Sequence, residues 1–324
     1  LKRRSMSAFL FFTIKIMKLD QWSRYWQAGQ LTSLPQDFAV NYEGEIYDYW
    51  VSYFSELPSA ASVLDLCTGN GAVALLAQTF SDQQSKQLSI TGLDGASISL
   101  EAIHKRYPDL SKQIDAVNFI DNQAIESMSL DEQFDLITSQ YGIEYCDWSV
   151  VASTVTKHLK PGGQFVIITH APETDITQYM KQERSEYDAV KEAKFFSAVD
   201  NILTGQINFA AFKKQMVSLQ KHLARMLQSK SSPLIQGIYN FTQHIIASDY
   251  ETFTQQRNQL ESYYLDHLFA YERLNDILTV SERLAENKEW YKPFCDAGLD
   301  IISVKPILQG GRHLAGIGYH FAKP

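Results

Sequence analysis

The sequence predicts an α/β fold: a mostly parallel sheet covered by helices on both faces, closed by a C-terminal antiparallel hairpin and carrying a large all-helical insertion. Three observations predict it. Short apolar runs alternate with helical patterns from Ser62 to His170, as parallel strands buried on both faces require. The stretch Glu173 to Trp290 contains only two glycines, Gly205 and Gly237, and one proline, Pro233. The chain then closes with two β-rich runs around a Gln309-Gly310-Gly311-Arg312 turn, a hairpin signal.

Taken in order, the first segment, LKRRSMSAFLFFTIKIMKLD, has a basic start and an apolar run, like a signal peptide. Lys15 interrupts that run and no small-x-small cleavage site follows, so residues 1–16 read as an upstream extension ahead of Met17. Residues 17–60 form an aromatic-rich helical cap. Within it Ile46, Tyr49, Trp50 and Tyr53 recur at helical spacing and predict one apolar helix face. Tyr25-Trp26 and the NYEGE segment, Asn41 to Glu45, lie in less regular sequence and could cover a ligand.

From Ser62 the alternation begins. Strand SVLDLC precedes a helix from Ala72 to Phe80; strand SITGLD, Ser89 to Asp94, precedes a helix through Tyr107, stopped by Pro108 because proline cannot continue a helix. Strand AVNFID spans Ala116 to Asp121. Strand FDLITSQ, Phe134 to Gln140, precedes a helix near Ser149 to Leu159. The turn LKPGG then leads into strand QFVIITH, Gln164 to His170. In the insertion, Phe212, Met216, Leu219, Leu223 and Met226 follow helical spacing, as do Leu274, Leu278 and, after a turn, Leu284. The hairpin strands are Ile301 to Leu308 and Ala315 to Phe321. The expected domains are therefore 61–172 with 291–324 as the α/β core, and 173–290 as a helical insertion serving as lid or dimerisation element.

The 324 residues are 45% hydrophobic and 20% charged with a formal net charge of −8. That composition is globular and lacks the basic excess of a nucleic-acid binder. No other apolar run reaches the ~20 residues a membrane span needs. The three cysteines, Cys67, Cys146 and Cys295, are odd in number and far apart in sequence, which implies no complete disulfide framework and points to a reducing, cytoplasmic setting. Cys67 reads as a small residue filling the glycine loop, with a reactive thiol as the alternative. His313 and His320 have no carboxylate-rich partner set, so no metal site is expected. The charged residues of the insertion alternate in sign, as solvated helix faces do.

VLDLCTGNGAVALLA, Val63 to Ala77, is a strand, a tight loop and a helix start. Glycines let a ligand approach the backbone, and the helix start offers free N–H groups to an anion or polar ligand. Asp94 closes the second strand, where it could bind both ribose hydroxyls. Those features suit a dinucleotide as well. Three others separate the readings: Asp65 lies four residues before Gly69, where a cationic ligand gains from a carboxylate; the sheet ends in a hairpin without a second mononucleotide-binding half; and Asp121 closes the third strand, where it could meet an adenine amino group.

Together LDLCTGNG, GLD, FID, FDLITSQYG and LKPGGQFVI resemble the class I S-adenosylmethionine-dependent methyltransferases, over Ser62 to His170 and the terminal hairpin. The resemblance implies a Rossmann-like, mostly parallel seven-stranded sheet and S-adenosylmethionine as cofactor, with S-adenosylhomocysteine as product. Residue by residue, it implies that Asp65, Thr68, Gly69, Asn70 and Gly71 surround the methionine part and that Asp94 holds the ribose. Gly95 or Ala96 would lie against the adenine face, Gly95 standing where the family usually has a larger apolar residue, and Asp121 and Asn122 would reach adenine polar atoms. Thr138, Ser139 and Gln140 would lie near the reactive methyl.

The segment after the fourth strand reads Ser139-Gln140-Tyr141-Gly142, without the prolines of the N/D-P-P-Y motif of base and glutamine methyltransferases. A small-molecule acceptor, methylated on O, N or C by in-line displacement, is the expected substrate. Gln140, Tyr141, Glu144 and Tyr145 are candidates to face it, with packing at the sheet edge as the alternative for the tyrosines. His170 is a candidate general base. A homodimer is possible, and neither nucleic acid nor membrane is expected as a partner. Two other functions compete: an NAD-dependent oxidoreductase, and a non-catalytic S-adenosylmethionine-binding protein that uses the insertion as a partner surface.

Overall fold

The computed structural model describes residues 19–33, 38, 40–172 and 174–324; the expected extension at 1–16 lies outside them. Seven strands form one sheet: β1 (Ser62–Leu66), β2 (Ser89–Leu93), β3 (Asn118–Ile120), β4 (Phe134–Gln140), β5 (Leu159–Thr169), β6 (Asp300–Gln309) and β7 (His313–Ala322). Their order is β3-β2-β1-β4-β5-β7-β6. The first five run parallel, and β7 pairs antiparallel with β5 and β6. The fold class read from the sequence is the one observed. The strand order reverses between β1 and β4, and in open α/β sheets ligands bind outside the carboxyl ends of the strands at such a point.

The helices are α1 (Asp20–Gln27), α2 (Glu45–Glu56), α3 (Ala72–Gln84), α4 (Leu100–Arg106), α5 (Ser111–Ala116), α6 (Trp148–His158), α7 (Asp175–Glu192), α8 (Phe195–Leu203), α9 (Phe209–Ser229), α10 (Pro233–Ala247), α11 (Tyr250–Gln255), α12 (Arg257–Glu286) and α13 (Lys292–Asp296). They divide between two compact units. One holds Trp22–Asp175 and Thr279–Pro324; the other holds Ile176–Leu278 together with residues 19–21.

In the α/β unit successive strand residues alternate between two cores, as the period-2 geometry of a strand dictates. Val63, Val166 and Ile168 join Trp50 and Phe54 of α2 and Ala74 of α3 on one side. Leu64, Leu66, Phe165 and Ile167 join Val155 of α6, Trp290 and Phe294 on the other. Burying each such large side chain contributes about 1.5–3 kcal/mol. The terminal hairpin turns through Gly310 and Gly311 at φ 60° and 65°, values that glycine adopts without a Cβ penalty.

The helical unit has its own core. Phe212, Met216, Leu219 and Leu223 of α9 pack with Val199 and Ile202 of α8 and with Ile235 and Ile238 of α10. Its helix starts are set by short polar side chains that accept from free backbone amides: Asn208 from Ala211 N, Ser232 from Ile235 N, and Asp249 from Thr252 N.

Several boundaries differ from expectation. Ala116 ends helix α5 instead of opening a strand. The strand β3 keeps only Asn118–Ile120. LKPGG is drawn into β5 as an irregularity: Leu159 pairs with Phe134 and Gln164 with Leu136, while Gly162 at φ 74° turns the strand. No turn separates Leu278 from Leu284; α12 runs through both. The stretch Thr279 to Trp290, read as insertion, belongs to the α/β unit. Among the described residues, no helix is long and apolar enough to cross a membrane.

Candidate functional site

The carboxyl end of β1 turns sharply at Cys67, whose φ is 55°, and again at Gly69 and Gly71 at 55° and 92°. Glycine is required at both later positions for a second reason. A Cβ at Gly69 would stand 2.6 Å from the Trp26 indole, and one at Gly71 would stand 2.6 Å from the Phe119 ring. The loop is thus roofed by the N-terminal aromatic segment on one side and by β3 on the other. Trp22, Tyr25 and Trp26 form one aromatic cluster, which Tyr145 joins at 5.8 Å from Trp22.

Asp94 ties the loop to the end of β2. Its carboxylate accepts from Gly69 N and Ala96 N, both at 2.7 Å. Burial pushes its pKa up to about 6, against the pull of those two amides. Each carboxylate oxygen carries a second lone pair, so the group can still accept from a ligand. Asp121 is exposed and bonded to Asn122 at 2.8 Å. Asn122 N reaches Ala96 O at 3.2 Å. The structure therefore brings Asp94, Gly95, Ala96, Asp121 and Asn122 to one rim of the loop.

The side chains of Asp65 and Asn70, expected around the methionine part, bond to the chain itself. Asp65 is buried under the loop and accepts from the hydroxyls of Thr68 at 2.6 Å and Thr138 at 2.8 Å. Burial raises its pKa to about 7. Asn70, fully buried, donates to Trp26 O and Gln30 O at 2.7 Å and accepts from Ser99 N at 3.1 Å. Every polar atom of its side chain amide is thereby used on the chain itself, to pin the N-terminal segment.

The end of β4 carries unfulfilled polar atoms. Ser139 Oγ is buried without a hydrogen bond. Gln140 takes the Trp50 indole N–H at 2.6 Å through Oε1, and its Nε2, beside the Tyr42 hydroxyl, lacks an aligned acceptor. Tyr141 turns the chain at φ 53°, a conformation costly for a residue with a side chain, and its hydroxyl donates to Ala315 O at 2.9 Å. Gly142 lies against Cys67, whose Cβ would be 2.2 Å from a Cβ at that position. The Cys67 thiol is pushed well up, first by the neighbouring Cys146 thiol and then by burial, so it stays protonated.

Next to these lies a pair that the sequence offered only as separate candidates. Glu144, in a 3₁₀ turn at Ile143–Tyr145, is fully buried. Its Oε1 accepts from His170 N at 2.8 Å and pairs with His170 Nδ1 at 2.7 Å, while Oε2 has no partner. A carboxylate at Nδ1 selects the tautomer protonated there, which leaves Nε2 as a lone pair; no hydrogen bond engages Nε2 among the described residues. Tyr141 and Tyr145 flank the imidazole at 4.8 and 5.9 Å.

His170 also lines a cavity of about 180 Å³ in the α/β unit, together with Leu284, Lys288, Trp290, Ile317 and Tyr319. Sequence reading missed these residues. Trp290 and Tyr319 are 29 positions apart, yet the indole N–H donates to the phenol oxygen at 3.1 Å. The one available signal was the alternation in β7, which puts Ile317, Tyr319 and Phe321 on one face. Among the described residues, no group of three or more His, Cys, Asp and Glu side chains is placed to hold a metal ion.

Residues 41–209 match the Methyltransferase domain family. No curated protein matches the sequence. Solved structures similar to parts of the chain include geranyl diphosphate C-methyltransferase from Streptomyces coelicolor A3(2), at 15% identity over 39% of this chain and 43% of that one, with a TM-score of 0.32. The N-methyltransferase NodS from Bradyrhizobium japonicum WM9, solved with S-adenosyl-L-homocysteine, matches at 18% identity over 47% and 75%, with a TM-score of 0.35. The glycopeptide N-methyltransferase MtfA, solved with sinefungin, matches at 19% over 43% and 59%, with a TM-score of 0.33. The chain thus spans less than two thirds of the first and last of these relatives.

Proposed function

Because the chain belongs to the Methyltransferase domain family, we propose that it transfers the methyl group of S-adenosylmethionine to a small-molecule acceptor, with His170 receiving the acceptor's proton. The observation that carries the cofactor reading is Asp94 at the end of β2, fixed by Ala96 N and by Gly69 N of the loop that leaves β1, beside the point where the strand order reverses. A second supports it: Ser139 Oγ is buried at the adjoining end of β4 without a hydrogen bond, where a ligand or water can supply one.

In this reading Asp94 accepts from the ribose hydroxyls and Asp121 and Asn122 meet the adenine edge. Gly69 and Gly71 let the loop backbone close on the amino-acid portion, with Ser139 and Gln140 beside it. When bound, the cofactor supplies a methyl already activated by the positive sulfur. The protein's work is to hold the acceptor in line with that methyl and to remove its proton. Glu144 fixes the imidazole through Nδ1, and Nε2 takes the proton from an O–H or N–H nucleophile as the bond to carbon forms.

Calorimetric titration of the full chain with S-adenosylmethionine, S-adenosylhomocysteine and NADH tests this directly. Both adenosyl ligands should bind, and Asp94→Ala should weaken them about tenfold or more, the worth of a lost charge-assisted hydrogen bond. Binding of NADH alone would overturn the proposal in favour of an oxidoreductase.

A further inference from the structure

Two of the three cysteines meet at the glycine loop, and neither takes part in the proposed methyl transfer. Cys67 opens that loop at the carboxyl end of β1, and Cys146 closes the 3₁₀ turn that follows β4. Gly142 brings them together. A Cβ at Gly142 would lie 2.2 Å from Cys67 Cβ and 3.0 Å from its Sγ, so only glycine leaves room for the Cys67 side chain. On the same residue, the Cys146 thiol faces Gly142 O at 4.0 Å. The two thiols thereby become neighbours, with Cys146 the hydrogen-bond partner of Cys67. Both pack against the core that holds Leu64, Leu66 and Ile143. Both are also free and partly exposed, so a small reagent can reach them.

The two sulfurs differ in their surroundings. Cys67 keeps its proton, as its raised pKa requires, and is the donor of the pair; that leaves Cys146 as the attacking sulfur. The backbone that carries Cys146 is firmly held. Its N–H donates to Ile143 O at 3.2 Å, and its carbonyl accepts from Arg283 Nη2 at 3.3 Å. Arg283 is itself seated 3.9 Å from the centre of the Trp148 ring. Cys67 instead has φ 55°, a conformation that a residue with a side chain holds at a cost. A disulfide needs its sulfurs ~2.05 Å apart, closer than two hydrogen-bonded thiols. The approach therefore comes from Cys67, and it draws on the loop whose Gly69 N holds Asp94 at 2.7 Å.

We propose that Cys67 and Cys146 are a redox-active dithiol, which low-molecular-weight disulfides such as oxidised glutathione convert to an intramolecular disulfide that loosens the cofactor loop. The effect on the loop rests on the methyltransferase reading above; the disulfide does not. The Cys146 sulfur attacks one sulfur of oxidised glutathione, the S–S bond of the reagent breaks, and one glutathione leaves as a thiol. Cys67 then attacks the Cys146 sulfur of the mixed disulfide. The bond to the second glutathione breaks, and the Cys67 proton passes to that departing thiolate. The protein loses two electrons and two protons, and one oxidised glutathione becomes two reduced ones.

The test equilibrates the full chain in glutathione buffers of graded ratio, traps free thiols by alkylation and maps unreduced peptides by mass spectrometry. A peptide pair joined through Cys67 and Cys146 should accumulate as oxidised glutathione rises, in the wild type and in Cys295→Ser alike. S-adenosylhomocysteine, titrated by calorimetry, should bind the reduced protein about tenfold more tightly than the oxidised one. Because such coupling is reciprocal, saturating S-adenosylhomocysteine should shift the half-oxidation ratio about tenfold toward oxidising conditions. Cys146→Ser should form no joined pair and should bind S-adenosylhomocysteine equally at every ratio. Thiols that stay separately alkylatable at every ratio, or a joined pair that runs through Cys295, would overturn the dithiol. A joined Cys67–Cys146 pair with equal S-adenosylhomocysteine affinity in both states would overturn its hold on the loop. Failure of the reduced protein to bind S-adenosylhomocysteine would overturn the methyltransferase reading and that hold with it, while the mapped peptides still decide the disulfide.

Discussion

Asp65 shows how a single buried group can be set against the stability of its own fold. Desolvation raises its pKa from 3.8 to about 7, only partly opposed by the hydroxyls of Thr68 and Thr138. Between those two values the folded chain holds a proton that the unfolded chain has released. The folded state is therefore favoured most at low pH by this group, and the advantage is lost as pH rises through about 7. Asp94, raised to about 6, acts in the same direction over a narrower window. Asp65→Asn removes the titration and keeps a polar group between the two threonines. Chemical denaturation at pH 4 and pH 8 should show the wild type losing stability relative to this variant, by on the order of 4 kcal/mol. Parallel pH profiles for the two proteins would mean that Asp65 is solvated or permanently charged. A proton-holding carboxyl beneath the glycine loop also gives a cationic ligand something to gain, because a positive charge nearby would favour its ionised form.

At the scale of elements, the loop after β1 and the segment before residue 33 are joined by one side chain. Asn70 engages Trp26 O, Gln30 O and Ser99 N, and these bonds hold the Trp26 indole over Gly69. Asn70→Ala would take the side-chain partner from Gln30 O and Ser99 N, while Trp26 O keeps its bond from Gly29 N, a cost of about 1–3 kcal/mol. Hydrogen exchange over residues 22–33 should speed up in that variant, while α2, anchored by Trp50 and Phe54 in the core, keeps its protection. Unchanged exchange at 22–33 would show that aromatic packing alone holds the segment. The same elements mark what the sequence made legible. Strand β1, the glycine loop, α3 and the Asp94 end of β2 each carry a local signal: an apolar run, a positive-φ glycine, a terminal acid. The pairs that complete the site are non-local. Glu144 meets His170 across 26 positions, Trp50 meets Gln140 across 90, and Trp290 meets Tyr319 across 29. No periodicity encodes such pairings, because they arise only when β4, β5 and β7 lie side by side. The bonds of the Asn70 side chain to Trp26 O, Gln30 O and Ser99 N were illegible for the same reason, since a loop residue can serve the ligand or the chain and composition does not distinguish the two.

At the scale of the whole molecule, the two units have separate hydrophobic cores, one pair on the two faces of the sheet and another centred on Phe195, Phe212 and Ile238. All candidate cofactor residues, from Asp65 to Ser139, belong to the α/β unit, as do Glu144, His170 and the cavity residues from Leu284 to Tyr319. A ligand that binds only the folded α/β unit stabilises it by RT ln(1 + [L]/Kd), about 2.7 kcal/mol at a hundredfold excess over Kd. Amides that exchange only when that unit opens should then slow by roughly a hundredfold with S-adenosylhomocysteine. The strongest change should appear at residues 65–72, 94–97 and 138–142. Amides in the centres of α8, α9 and α10 report the opening of a different core, so they should exchange at the same rate with and without ligand. Equal slowing in both sets would require the units to open as one cooperative body. Slowing confined to the helices would move the ligand site out of the α/β unit and overturn the assignment of Asp94.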